Sequence, residues 1–171
     1  MNESLAFLLS EFKQEAALTR NFLVKVPMER ATYKPHPASE SLGRLAIHVA
    51  EIIAWWKNVL EENSMDFDGF EPKKIEDTNL LLSYYDTLFS QTIAAFKNAS
   101  DDELEKDWTM KDGQTLYMTL TKKQILRIYC MNHLIHHRAH LGVYLRMLNI
   151  AIPATYGPSA DDYEVTLLDR F

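Results

Sequence analysis

The residues in this chain best suited to chemistry are histidines, and four of the six crowd together as His133, His136, His137 and His140. On an α-helix each residue advances about 100°, so these side chains share one sector about 100° wide. Two overlapping H-x-x-x-H pairs result, His133 with His137 and His136 with His140. An i, i+4 pair brings two imidazoles close enough to grip one metal ion. A single histidine in such a place would read as an ordinary core residue bonded to a neighbour. The cluster reads as a metal site, because several imidazoles on an apolar face are costly to bury without partners.

The element that must carry them has a clear start. Thr121 can cap a helix and Gln124 can bond back to it, a capping box, with Leu120 and Ile125 placed to close a hydrophobic staple. Ile125, Leu126, Ile128, Tyr129, Leu134, Leu141, Val143, Tyr144, Met147 and Leu148 then recur at helical spacing, with no proline before Pro153. The pattern predicts one helix over about residues 121–149, with Arg127, Arg138 and Arg146 outside its apolar stripe or at its edge.

Upstream, Leu5, Leu8, Phe12, Ala16, Thr19 and Leu23 mark one face of a helix that Val26-Pro27 ends. Pro35 and Pro37 force extended backbone around His36, which reads as a surface loop residue. Ser39 or Ser41 can cap a second helix running to about Glu62. On it His48 borders the buried face, where a bundle partner could bring it opposite the cluster. Glu51, one turn on, can orient an imidazole or exchange a proton, although a glutamate in this place reads first as a solvated helix residue. Trp55 and Trp56 read as rim and core packing.

Residues 63–76 lack periodicity and read as a loop, and Asp66, Asp68 and Glu71 do not match the spacing of a calcium-binding loop. A third helix starts near Asp77 or Thr78, and Ser100 with Glu103 forms a second capping-box pattern. Asp112-Gly113 between two β-prone runs predicts a small hairpin. After Asn149 the tail is extended, with Val165–Phe171 offering apolar residues that can dock on the bundle or on a second subunit. The expected fold is all-α, a four-helix bundle with a small hairpin before the last long helix, in a single domain over 1–171.

A net charge of −6 and the lack of any long Lys/Arg block argue against nucleic acid or an anionic membrane as partner. No apolar run approaches the roughly 20 residues that span a bilayer, and the N-terminus lacks a basic signal region. A lone cysteine, Cys130, excludes an internal disulfide and fits a reducing compartment, so the expected location is cytoplasmic.

Several separated features resemble the DinB/YfiT-like family of metal-binding four-helix bundles. They are the proline-containing lead from Pro35 to His48, the H-x-x-x-H-R motif of His133, His137 and Arg138, and the helix end at Tyr144–Leu148 followed by Pro153 and Tyr156-Gly157. The resemblance implies a three-histidine site of His48, His133 and His137, a choice between the two pairs that periodicity leaves open. It also implies a homodimer acting on a small-molecule substrate. Where the family motif continues H-R-G-Q, this chain has Ala139 and His140. His140 can be a fourth ligand, a base beside the ligands, or a hydrogen-bonding stand-in for glutamine; the place beside the ligands is expected.

Three imidazoles leave a divalent ion, zinc or nickel, with an open position, as catalytic sites do. Such a site can hold water with its pKa lowered toward ~7, with His140 or Glu51 taking the proton, as in a hydrolase. It can instead hold the thiolate of a low-molecular-weight thiol such as bacillithiol, mycothiol or glutathione for attack on an electrophile, as the resemblance implies. With no internal nucleophile evident, the expectation is thiol transfer. The rival is a non-enzymatic protein that binds metal for stability or stress sensing. A diiron carboxylate site is disfavoured, since paired Glu-x-x-His motifs are missing.

Overall fold

The structure, a computed structural model, describes residues 3–162; Val165–Phe171, assigned above a docking role, lies outside them. Glu3–Leu23 forms α1, burying Leu5, Leu8, Phe12, Ala16, Thr19 and Leu23 as their spacing predicts. A 3-10 turn at Met28–Arg30 leads toward α2, Leu42–Glu61, which Ser41 caps by accepting a bond from the Arg44 amide. The start of α2 packs so closely on this connection that a Cβ on Gly43 would meet the Ala31 Cβ at 2.7 Å. Asp77 caps α3, Thr78–Asn98, by accepting bonds from the Asn79 and Leu80 amides.

α2 is the central helix. Along it Leu42, Ala46, Val49, Ile52, Ile53, Trp56 and Val59 are wholly or almost wholly buried, and Trp56 packs on Phe12 and Phe96 with ring centroids 5.1 and 5.8 Å apart. Side-chain hydroxyls bind the helices at fixed heights. Tyr85 donates to the Ala16 carbonyl at 2.7 Å, and Thr92 to the Ile53 carbonyl at 3.0 Å.

In place of four uninterrupted helices and a hairpin, the described residues form five α-helices and a three-stranded sheet, so the fold is mostly helical rather than purely so. The expected hairpin is present as β2, Asp107–Asp112, antiparallel to β3, Thr115–Thr121, and Gly113 at φ 54° makes its turn. The stretch read as a loop contributes a third strand, β1, Ser64–Asp66, parallel to β2. Asp66 locks the arrangement: it pairs with Lys111 at 2.8 Å and accepts from the amides of Gly113 and Asp68, which holds its carboxyl down at about 2. Ser100 makes no side-chain cap; its carbonyl, rather, accepts the Glu103 amide in a 3-10 turn at Asp101–Glu105.

The helical stretch that carries the histidine cluster starts where the capping box of Thr121 and Gln124 places it, and ends in a Schellman-type arrangement. There Asn149, at φ 57°, donates to the Arg146 carbonyl and Ile150 to that of Leu145. Between those ends it is not one α-helix. α4, Lys122–Ile125, gives way to a π-helical segment at Leu126–Asn132, and α5 follows at His133–Met147. A single α-helical period therefore misplaces side chains across it. Ile128, Val143 and Met147, read as stripe residues, are exposed, whereas Arg138 is buried.

Arg138 is the densest polar knot in the core. Its guanidinium donates to the Glu15 carboxylate at 2.6 Å, the Glu15 carbonyl at 3.1 Å, the Thr19 hydroxyl at 3.2 Å and the Tyr156 hydroxyl at 2.6 Å. Tyr156 in turn donates to Glu15 at 2.7 Å, tying the tail to α1 and α5 together. Replacing Arg138 by Met leaves a carboxylate buried without its cation, and urea denaturation should report a loss of about 3–5 kcal/mol. The double change Glu15→Leu, Arg138→Met should recover most of that loss. Equal stability of the single and double variants would contradict this account of the knot.

Candidate metal centre

α2 and α5 face each other with His48 on one and His133 and His137 on the other. One ring nitrogen from each lies within 4.8 Å of the other two. His48 Nε2 and His133 Nε2 are 3.3 Å apart, and the ring of His137 stands 4.6 Å from that of His48 and 4.5 Å from that of His133. All three are half-buried. His133 Nδ1 lies 3.2 Å from the Tyr129 carbonyl, at the junction of the π segment and α5. A carbonyl only accepts, so Nδ1 carries the proton and Nε2 presents its lone pair to the other imidazoles. Trp55 forms a wall, its ring 4.9 Å from His133.

These side chains fit a metal. Burial pushes His48 down to about 3 and His137 down to about 4, and lowers His133, with the neighbouring imidazoles adding to the effect at His48 and His137. At neutral pH all three are therefore uncharged, the form that binds a cation. His137 Nδ1 is buried with no hydrogen-bond partner, a cost that a metal-free core histidine has little reason to carry. Among the described residues no carboxylate or thiol joins the three nitrogens.

The other candidates fall around this group. Glu51 is buried and engaged: its carboxylate accepts from Arg44 at 3.0 Å and from the Lys73 amide at 3.4 Å. His140 is exposed and lies at a tilt against exposed His136, ring centroids 4.2 Å apart, while 5.9 Å separates it from His137. His36 sits in an exposed turn, where its Nδ1 accepts from the Ala38 amide. Cys130 is fully buried and burial pushes its thiol up. Arg44 was not singled out by sequence. It lines a cavity of about 240 Å³ with Glu40, Leu45, His48 and His137, and the signal was present in its spacing, one turn before His48 and two before Glu51.

The DinB family model matches residues 1–166. The chain belongs to the DinB family. Among DinB relatives, the Bacillus subtilis (strain 168) protein YjoA is 26% identical over 142 residues, covering 81% of this chain and 87% of YjoA. The crystal structure of the DinB-like YjoA superposes with a TM-score of 0.67 at 22% identity, over 86% of this chain and 96% of that one. A DinB-like protein from Bacillus cereus ATCC 10987 gives 0.66 at 17% identity, over 87% and 95%. These structures share the DinB fold.

The depressed imidazoles make acid stability a direct readout. In the metal-free protein the unfolded chain takes up protons at these histidines near pH 6.5, whereas folded His48 and His137 resist until about 3 and about 4. Between those limits the unfolded state holds more protons, so stability falls as pH drops. Chemical denaturation of metal-free protein should show a decline on acidification from about pH 6.5. That decline should shrink in His48→Gln; an unchanged pH slope would show that burial does not hold His48 neutral.

Proposed function

We propose that this DinB protein is a metal-dependent transferase that joins a low-molecular-weight thiol to an electrophilic small molecule. The observation that carries this reading is a cluster of three imidazoles, two of which, His48 and His137, line a cavity of about 240 Å³. His48, His133 and His137 would hold a divalent ion, zinc or nickel, both of which accept imidazole nitrogen. Bound there, the ion supplies Lewis acidity that draws a thiol toward its thiolate near neutral pH.

The chain's own residues do the rest. The reacting sulfur has to come from a cofactor, because Cys130 is inaccessible. Arg44 brings a guanidinium to the cavity wall, a partner for a carboxylate carried by the thiol. Glu51 holds Arg44 in place through their 3.0 Å ion pair and is a positioning residue on this reading. The same engagement weighs against Glu51 as the base of a hydrolase. Trp55 screens one side of the imidazoles from water. A reducing, cytoplasmic setting supplies the thiol.

Purified protein should contain about one transition metal per chain, lost in His48→Ala and in His133→Ala. A panel of thiols against alkyl and epoxide electrophiles should then reveal turnover. Arg44→Leu should raise KM for a carboxylate-bearing thiol by about tenfold with kcat little changed. Ester or amide hydrolysis by metal-loaded protein, with every thiol pair inert, would overturn the transferase reading.

A further inference from the structure

Three histidines outside the proposed thiol chemistry remain, and two of them are matched to each other. His136 and His140 are both exposed, one turn apart on α5, with ring centroids 4.2 Å apart. They also form a second group with His137, in which one nitrogen from each lies within 4.8 Å of the others. Among the described residues no side chain hydrogen-bonds to the ring nitrogens of this outer pair, and α5 exposes them together with Ala139, a residue too small to cover them. Imidazoles one helical turn apart are a bidentate grip for a divalent transition ion. His137 belongs to both groups, its ring 5.0 Å from His136 on one side and 4.6 Å from His48 on the other.

We infer that His136 and His140 form a second, outer site for an imidazole-binding divalent ion, and that this site delivers the ion to the inner imidazoles past His137. The delivery role rests on the reading of His48, His133 and His137 as a metal centre; the outer site itself does not. Two exposed ligands and water hold an ion weakly enough to release it, whereas three half-buried imidazoles hold it more tightly, so transfer runs inward. The inner group is reached through a small cavity, where an ion would arrive with its water shell. An outer pair at the same helix face allows that shell to be exchanged stepwise for imidazole. The transfer exchanges ligands on the ion and leaves its oxidation state unchanged.

The experiment uses Cu2+ alone as probe, because it binds nitrogen ligands most strongly in the divalent series. Isothermal titration of the metal-free full chain should show a tight first equivalent and a weaker second. The variant His136→Gln, His140→Gln should lose the second and keep the first. Both changes are at exposed positions, so folding is not at stake. In His48→Ala the tight equivalent should vanish while the weak one persists, which separates failure of the inner centre from failure of the outer pair. Stopped-flow quenching of tryptophan fluorescence, with Trp55 against His133, should report several-fold slower inner loading in the double variant at limiting Cu2+. A second equivalent that survives the double change overturns the outer site. Its loss with an undiminished loading rate overturns the delivery role.

Discussion

Everything about this protein's candidate chemistry depends on the rotation of one helix about its own axis. α5 must turn His133 and His137 toward His48 on α2, and at the same time turn Arg138 into the core against Glu15. Two adjacent residues, His137 and Arg138, thus serve opposite demands. The buried guanidinium accepts only one rotation, because its four donated bonds reach α1 and the tail from fixed points. A buried ion pair of this kind adds little net stability, but breaking it is costly, so it selects one arrangement over its neighbours. The imidazoles inherit that selection.

The π-helical segment is the second part of the same device. It lies immediately before His133, and wider turns of this kind are found often at functional sites. Here the junction leaves the Tyr129 carbonyl beside His133 Nδ1, which fixes the tautomer that aims Nε2 at His48. A regular helix would tie that carbonyl into its own ladder more firmly. Backbone irregularity thereby becomes ligand orientation.

Much of this was legible in the sequence and some of it was not, for physical reasons. Caps at Ser41, Asp77 and Thr121 were readable because they are local bonds between a side chain and amides two or three residues on. Strand β1 was not, because three residues in a polar stretch acquire their extended form only by pairing with Thr109–Lys111, more than forty positions away. The π segment left no trace in a pattern read at one period, so the burial of Arg138 and the exposure of Val143 and Met147 were misjudged together. Glu15 held the missing clue: a carboxylate three residues after Phe12 on the buried face of α1 requires a buried cation somewhere. Periodicity alone left both histidine pairs open, and it is the approach of His48 that distinguishes the inner pair from the outer one.

The separation of His48 from His133, 85 positions along the chain, bears on how the molecule comes into being. Contacts between such distant segments form only after the intervening chain has been closed, and that closure is paid in entropy before it is rewarded. No nascent chain stopped short of α5, and no fragment that lacks α2, contains the inner group at all. The three imidazoles come together only once α5 has been made and has met α2, so they exist only in a molecule whose helices have already found one another. An ion held between them would act as a clasp on a finished fold, and would leave earlier, half-folded chains untouched.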